Sequence, residues 1–176
     1  MKLLYILLLF PLFGHAQIKN SSYKIKLIDS IADANRAGIQ TSGFIKKNKL
    51  LFWKKTIGSF SEDIYMDSVI NPENAKKLYL IKASYQKKLS ITKNIVEYIY
   101  SDFYYDKTLF FVYLKKITEN QETGTITYSY EIDLSKEINS EIDKELGFDV
   151  KNWITSQDNH FKEVTASIYR LNICTY

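Results

Sequence analysis

Glu131 and Asp133 stand two residues apart in the segment TITYSYEIDL. On an extended strand that spacing puts both carboxylates on one face, with Cα atoms about 6.5 to 7 Å apart. Paired carboxylates at such a separation can act across a glycosidic bond, so the two are the candidate catalytic pair of a carboxylate-dependent hydrolase. A solvated strand face needs the same alternation of polar residues without any chemistry, and that is the stronger reading. His160 and Cys174 are the only histidine and cysteine after residue 16, which leaves a Cys/His nucleophile as one further arrangement. They are too few for a zinc site, and no HExxH, GxSxG, P-loop or GxGxxG pattern occurs. Asp102 and Asp106 flank a turn where calcium would meet carboxylates, yet no EF-hand spacing of further ligands accompanies them. No metal and no cofactor are expected, and the balance is against an enzyme.

Aromatic residues are the more informative set. Seven tyrosines, at 98, 100, 104, 105, 113, 128 and 130, fall within 33 residues. In strands tyrosines mostly fill cores or cross-strand pairs. They surround KTLFFVYLKK, Lys107 to Lys116, which is apolar on both parities and so predicts a strand with two covered faces. If helices cover only one face, the other meets water, a partner or a ligand. The expected core parity is Leu109, Phe111 and Tyr113. Phe110 and Val112, with Tyr98 and Tyr100, are the expected binding residues.

The elements that would position these residues follow from periodicity. NIVEYIYSD precedes the aromatic strand and TITYSYEIDL follows it, and KLYLIKASYQ supplies a fourth strand. Strand starts near 78, 95, 109 and 126 suit successive hairpins better than helical crossovers. Ile126, Tyr128, Tyr130, Ile132 and Leu134 alternate with polar residues, predicting one dry and one wet face. Upstream, GFIKK and KLLFWKKTI flank Asn48 as a hairpin, and Glu62 to Ile70 reads as an outer strand ending at the NPEN loop. Ser21 or Ser22 caps a helix running to about Ala37 and stopped by Gly38. Ser135 caps another that carries Ile138, Ile142 and Leu146 to a stop at Gly147, and the tail from His160 has helical spacing, with a Val, Thr and Ile content that would also suit a strand. The expected fold is α+β, an antiparallel meander of about five to seven strands with helices near both termini.

The first residues set the compartment. Met1 and Lys2 precede an apolar run from Leu3 to Phe13, closed by Gly14, His15 and Ala16. This predicts a secretory signal peptide, residues 1–16, cleaved after Ala16. Its 11 apolar residues fall short of the roughly 20 that span a bilayer, so the mature chain is not expected to be an integral membrane protein. Residues 17–176 would form a single domain. They carry 23 basic and 20 acidic residues, including only two arginines, Arg36 and Arg170. The net charge of +3 is spread over the chain and, with so few arginines, is no nucleic-acid footprint.

The segments KKLYLIKASYQ, NIVEYIYSD and DKTLFFVYLKK together resemble a Tyr-rich meander found in uncharacterised secreted proteins and lipoproteins. The resemblance covers about 40 residues and implies a fold and a compartment, with no catalytic residues. It departs from that pattern in having Phe103 to Lys107, without glycine, where those proteins carry an Asp-Gly or Asn-Gly turn. The functional expectation is an exported periplasmic or extracellular binding module for a protein or polymer, open to self-association. An immunity or inhibitor protein against an extracytoplasmic toxin fits size and export equally well.

Overall fold

The computed structural model describes residues 21–34, 39–50, 53–70 and 76–173. Two compact units make up the chain, Met1–Arg36 and Ala37–Tyr176. In the first, residues 21–34 are helical (α1), with Ile28 and Ala32 buried. The expected signal peptide, its cleavage point, the Gly38 stop and Cys174 lie outside the described residues.

The second unit holds six strands: β1 Ile39–Leu50, β2 Trp53–Ile70, β3 Lys76–Ser90, β4 Ile95–Asp106, β5 Thr108–Asn120 and β6 Gly124–Asp133. All neighbours pair antiparallel, and their order in the sheet is their order in the chain. Two helices follow, α2 Ser140–Leu146 and α3 Val150–Ile173. The fold is therefore α+β, an antiparallel meander with helices towards both ends, as the alternation of side chains predicts.

Polar caps fix the two helices. Asn139 accepts from the backbone N–H of Glu141 at 3.0 Å, and Gly147, at φ 76°, donates its N–H to the Asp143 carbonyl at 2.8 Å. That left-handed conformation suits glycine. Lys116 reaches across from β5, pairing with Glu97 at 3.0 Å and donating to the Leu146 carbonyl at 2.8 Å. A cation there meets the negative end of α2. Asp149 opens α3 by accepting from the N–H of Asn152 at 2.9 Å.

One face of the sheet, the near face, forms the core with α2 and α3. Phe103, Val112, Leu114 and Ile64 are fully buried there with Leu146, Val150 and Phe161. Trp153 sits edge-on to Tyr85 at 6.2 Å and tilted against Phe103 at 5.7 Å, and Phe161 meets Phe103 at 5.2 Å. Burying one such phenylalanine contributes roughly 1.5–3 kcal/mol.

Several expectations need correction. Val112 is 0% exposed; it belongs to the core and cannot line a binding face. The reason is a bulge: Tyr104 pairs with Phe111 but Tyr105 with Leu109, so Phe110 is the extra residue. The bulge breaks the alternation that would have grouped Leu109, Phe111 and Tyr113. Leu109 packs with Val112 and Leu114 against the core, while Phe111 turns to the other face beside Tyr104. Asn48 is no turn, since it pairs with Lys54, and the strands reconverge only at Leu50 and Trp53. Glu62–Ile70 is not a separate outer strand; it is the second half of β2, which pairs with β3 throughout but with β1 only as far as Ile64. Phe103 to Asp106 extend β4, leaving Lys107, at φ 63°, to make the turn alone. Ser135 does not cap α2; it donates its N–H (3.0 Å) and hydroxyl (2.7 Å) to the Asp133 carboxylate. The helical tail begins at Val150 rather than His160.

Candidate functional site

Because the strands pair in order, far-face side chains line up in rows that cross the sheet. One row runs Phe44, Ser59, Lys88, Tyr98 and Ile117 from β1 to β5. The next runs Ser42, Ser61, Gln86, Tyr100 and Lys115. Ile99 packs against the core between the two tyrosines, so strand periodicity sends Tyr98 and Tyr100 to the same far side. Their rings are nearly parallel, 8° apart with centroids 6.3 Å apart.

These two rows border a concavity of about 470 Å³. Lys88 holds its ammonium 5.4 Å from the centre of the Tyr98 ring, within cation–π range. Phe44 is 74% exposed at the β1 edge, and the serine hydroxyls and the Gln86 amide fill the space between. Gly58 keeps this part of the sheet closed up, since a Cβ there would stand 2.2 Å from the Lys88 carbonyl oxygen.

The neighbouring rows differ in charge. Asp63, Ser84, Asp102, Tyr113 and Glu131 form the third, in which Ser84 donates to Asp102 at 2.5 Å. Tyr65, Lys82, Tyr104, Phe111 and Asp133 form the fourth. Tyr104 is buried there under the edge of Phe111 and the Lys82 ammonium, 5.1 Å away.

Of the residues the sequence singled out, Tyr98 and Tyr100 come together at the concavity, whereas Val112 lies on the opposite face and Phe110 at the bulge. Glu131 and Asp133 do share the far face. Asp133, however, is held in the turn by Ser135, whose hydrogen bonds keep its carboxyl below the usual carboxylate range. Asp102 is engaged with Ser84, and a single-residue turn, not a calcium-sized loop, separates Asp106 from Thr108. Among the described residues no group of three or more His, Cys, Asp or Glu side chains is placed to hold a metal.

Sequence reasoning missed Lys88, Gln86, Phe44 and Lys115. Each has the right parity on its own strand, but only the pairing register brings it beside the tyrosines. It also missed His160 with Glu62. The histidine Nε2 lies 3.1 Å from the Glu62 carboxylate, which also accepts from the Thr41 hydroxyl at 2.8 Å. Burial raises the Tyr85 hydroxyl pKa, and the Glu62 charge adds to the effect.

A second cavity, of about 630 Å³, lies between α3, the α2 segment and the ends of β5 and β6. Its carboxylates serve the helices: Asp143 accepts from the Val150 N–H at 3.0 Å, Asp149 caps α3, and Asp158 pairs with Lys162 at 2.6 Å. No helix among the described residues is long and apolar enough to cross a membrane. No family model matches this chain, and neither a curated protein nor a solved structure does.

Proposed function

We propose that the protein is an exported, non-catalytic module that binds a protein or polymer of the cell envelope or exterior through the far face around Tyr98 and Tyr100. The observation that carries the reading is the pair of parallel tyrosine rings opening, with Lys88 and Gln86, onto the 470 Å³ concavity. Aromatic faces flanked by amide and hydroxyl groups suit recognition, because one surface supplies both apolar area and directional polar contacts. The chemistry of the alternative hydrolase finds less support: Asp133 is committed to Ser135, and among the described residues no carboxylate lines the concavity.

Retention of the mature chain on isolated envelope material, compared with Tyr98→Ala/Tyr100→Ala of unchanged circular dichroism, tests the reading. Retention should fall in the double variant. Equal retention of the two proteins would remove the far face as the binding surface. Turnover of glycans or esters abolished by Glu131→Gln or Asp133→Asn would overturn the non-catalytic reading. Mass determination of the exported protein should give Gln17 as its first residue; an intact Met1 terminus in a membrane fraction would refute export by cleavage.

A further inference from the structure

We infer that the ligand of this face is an acidic polysaccharide, an inference that rests on the binding reading above and gives it a substrate class. The first two far-face rows carry two ammonium groups, Lys88 and Lys115, and no carboxylate. Neither lysine has a carboxylate partner among the described residues. Lys46, exposed and two residues beyond Phe44 on β1, has the same parity, and from Thr41 to Ser61 the chain has no acidic residue. An anionic ligand therefore meets positive charge along these rows, with Glu119, exposed on β5 in the row beyond Ile117, as the carboxylate bordering their other side.

The carboxylates of Asp63, Asp102 and Glu131 stand in the very next row. They repel an anionic chain that strays from the first two rows, so the preferred path runs across the strands from Phe44 towards Lys115. Five strands lie along that path, four spacings or roughly 19 Å, which suits an oligomer rather than a single small ion. Charge alone would serve an acidic peptide or an anionic membrane equally well. The tyrosine rings and the hydroxyls of Ser42, Ser59 and Ser61 favour sugar: ring C–H faces pack on aromatic side chains, and sugar hydroxyls exchange hydrogen bonds with serine and Gln86. Nucleic acid is disfavoured because no arginine stands among the described residues of these rows.

Affinity electrophoresis of the mature protein in gels containing alginate, a polyuronate, tests the inference against dextran, polyglutamate and phosphatidylglycerol vesicles. Alginate should retard the protein at least tenfold more strongly than dextran. Retardation should vanish as salt shortens the Debye length from roughly 30 Å to roughly 3 Å. Lys88→Ala/Lys115→Ala and Tyr98→Ala/Tyr100→Ala should each weaken it at least tenfold, while Lys136→Ala/Lys151→Ala, remote from the face, should not.

Polyglutamate or vesicles bound as tightly as alginate, with no loss in the tyrosine variant, would reduce the site to bare charge and overturn the inference. Dextran bound as tightly as alginate and lost in the tyrosine variant would overturn the acidic ligand while leaving the far face as the binding surface. Failure of alginate to bind would also overturn it, and the retention experiment on envelope material would then decide separately whether the binding reading survives.

Discussion

His160 Nε2 lies 3.1 Å from the Oε2 of Glu62, although 98 residues separate them in the chain. The contact fastens α3 to β2 where the core ends. The Glu62 side chain is only 7% exposed, against 45% for His160, so the two sides of the bond are unequal. A buried carboxylate that loses a partner keeps its desolvation penalty, whereas a half-exposed imidazole can turn to water.

Thr41→Val should therefore cost about 1–3 kcal/mol, because it removes a donor from a buried charged acceptor. His160→Ala should cost about 1 kcal/mol or less, since solvent screens the exposed side of that pair. Urea unfolding of both variants checks the order. A larger loss for His160→Ala would mean that the histidine, not Thr41, is the main partner of Glu62.

On β5, Leu114→Ala should cost about 2–5 kcal/mol, because its side chain is fully buried and its removal leaves a cavity in the core. Phe111→Ala, at a partly exposed far-face position, should cost less than Leu114→Ala despite the larger side chain removed. Thermal unfolding midpoints of the two variants decide it, and a reversed order would put Phe111 in the core.

This contrast shows where the sequence stops being legible. Alternation in TITYSYEIDL and the apolar run of KTLFFVYLKK are local signals, and both strands form where periodicity places them. The parity of Phe110, Phe111 and Val112 is not local: it depends on a bulge defined by which residue of β4 lies opposite. Turn positions failed for a similar reason, because Lys107 takes a left-handed conformation that residue type argues against. Tyr98 and Tyr100 were legible as a same-face pair on one strand, whereas Lys88 and Lys115 enter the site only through register with neighbouring strands.

Lys107→Gly should stabilise the β4–β5 hairpin by about 0.5–1 kcal/mol, the relief of a left-handed lysine less the entropy glycine loses on folding. Gly58→Ala should do the reverse and weaken any ligand bound at Lys88, since the added methyl would force β2 and β3 apart there. Denaturant midpoints give both signs. A stabilised Gly58→Ala would show that the strands part at little cost.

Alkaline pH should unfold the protein through its buried tyrosines. Burial pushes the Tyr105 hydroxyl far up, and the nearby Asp158 carboxylate raises it further. A folded-state value above the unfolded one, about 10, means that this contribution to stability is complete below that pH. It is lost as the pH rises beyond, where the unfolded chain releases protons the folded one retains. Tyrosinate absorbance should show Tyr105 ionising only with loss of near-ultraviolet circular dichroism. Tyr105→Phe should move that loss to higher pH, and an unshifted transition would assign it to other groups.

Strand order that copies chain order has a consequence for how the molecule is made. As synthesis proceeds from the amino end, each strand emerges next to the one it will pair with, so the sheet can be laid down hairpin by hairpin with short loop closures. Its near face gains no such early protection. Phe103, Val112 and Leu114 wait for α3, the last element described, so the nascent chain carries a nearly complete sheet with one greasy side before its lid has been translated. Until α3 follows, that apolar side is open to association with other chains.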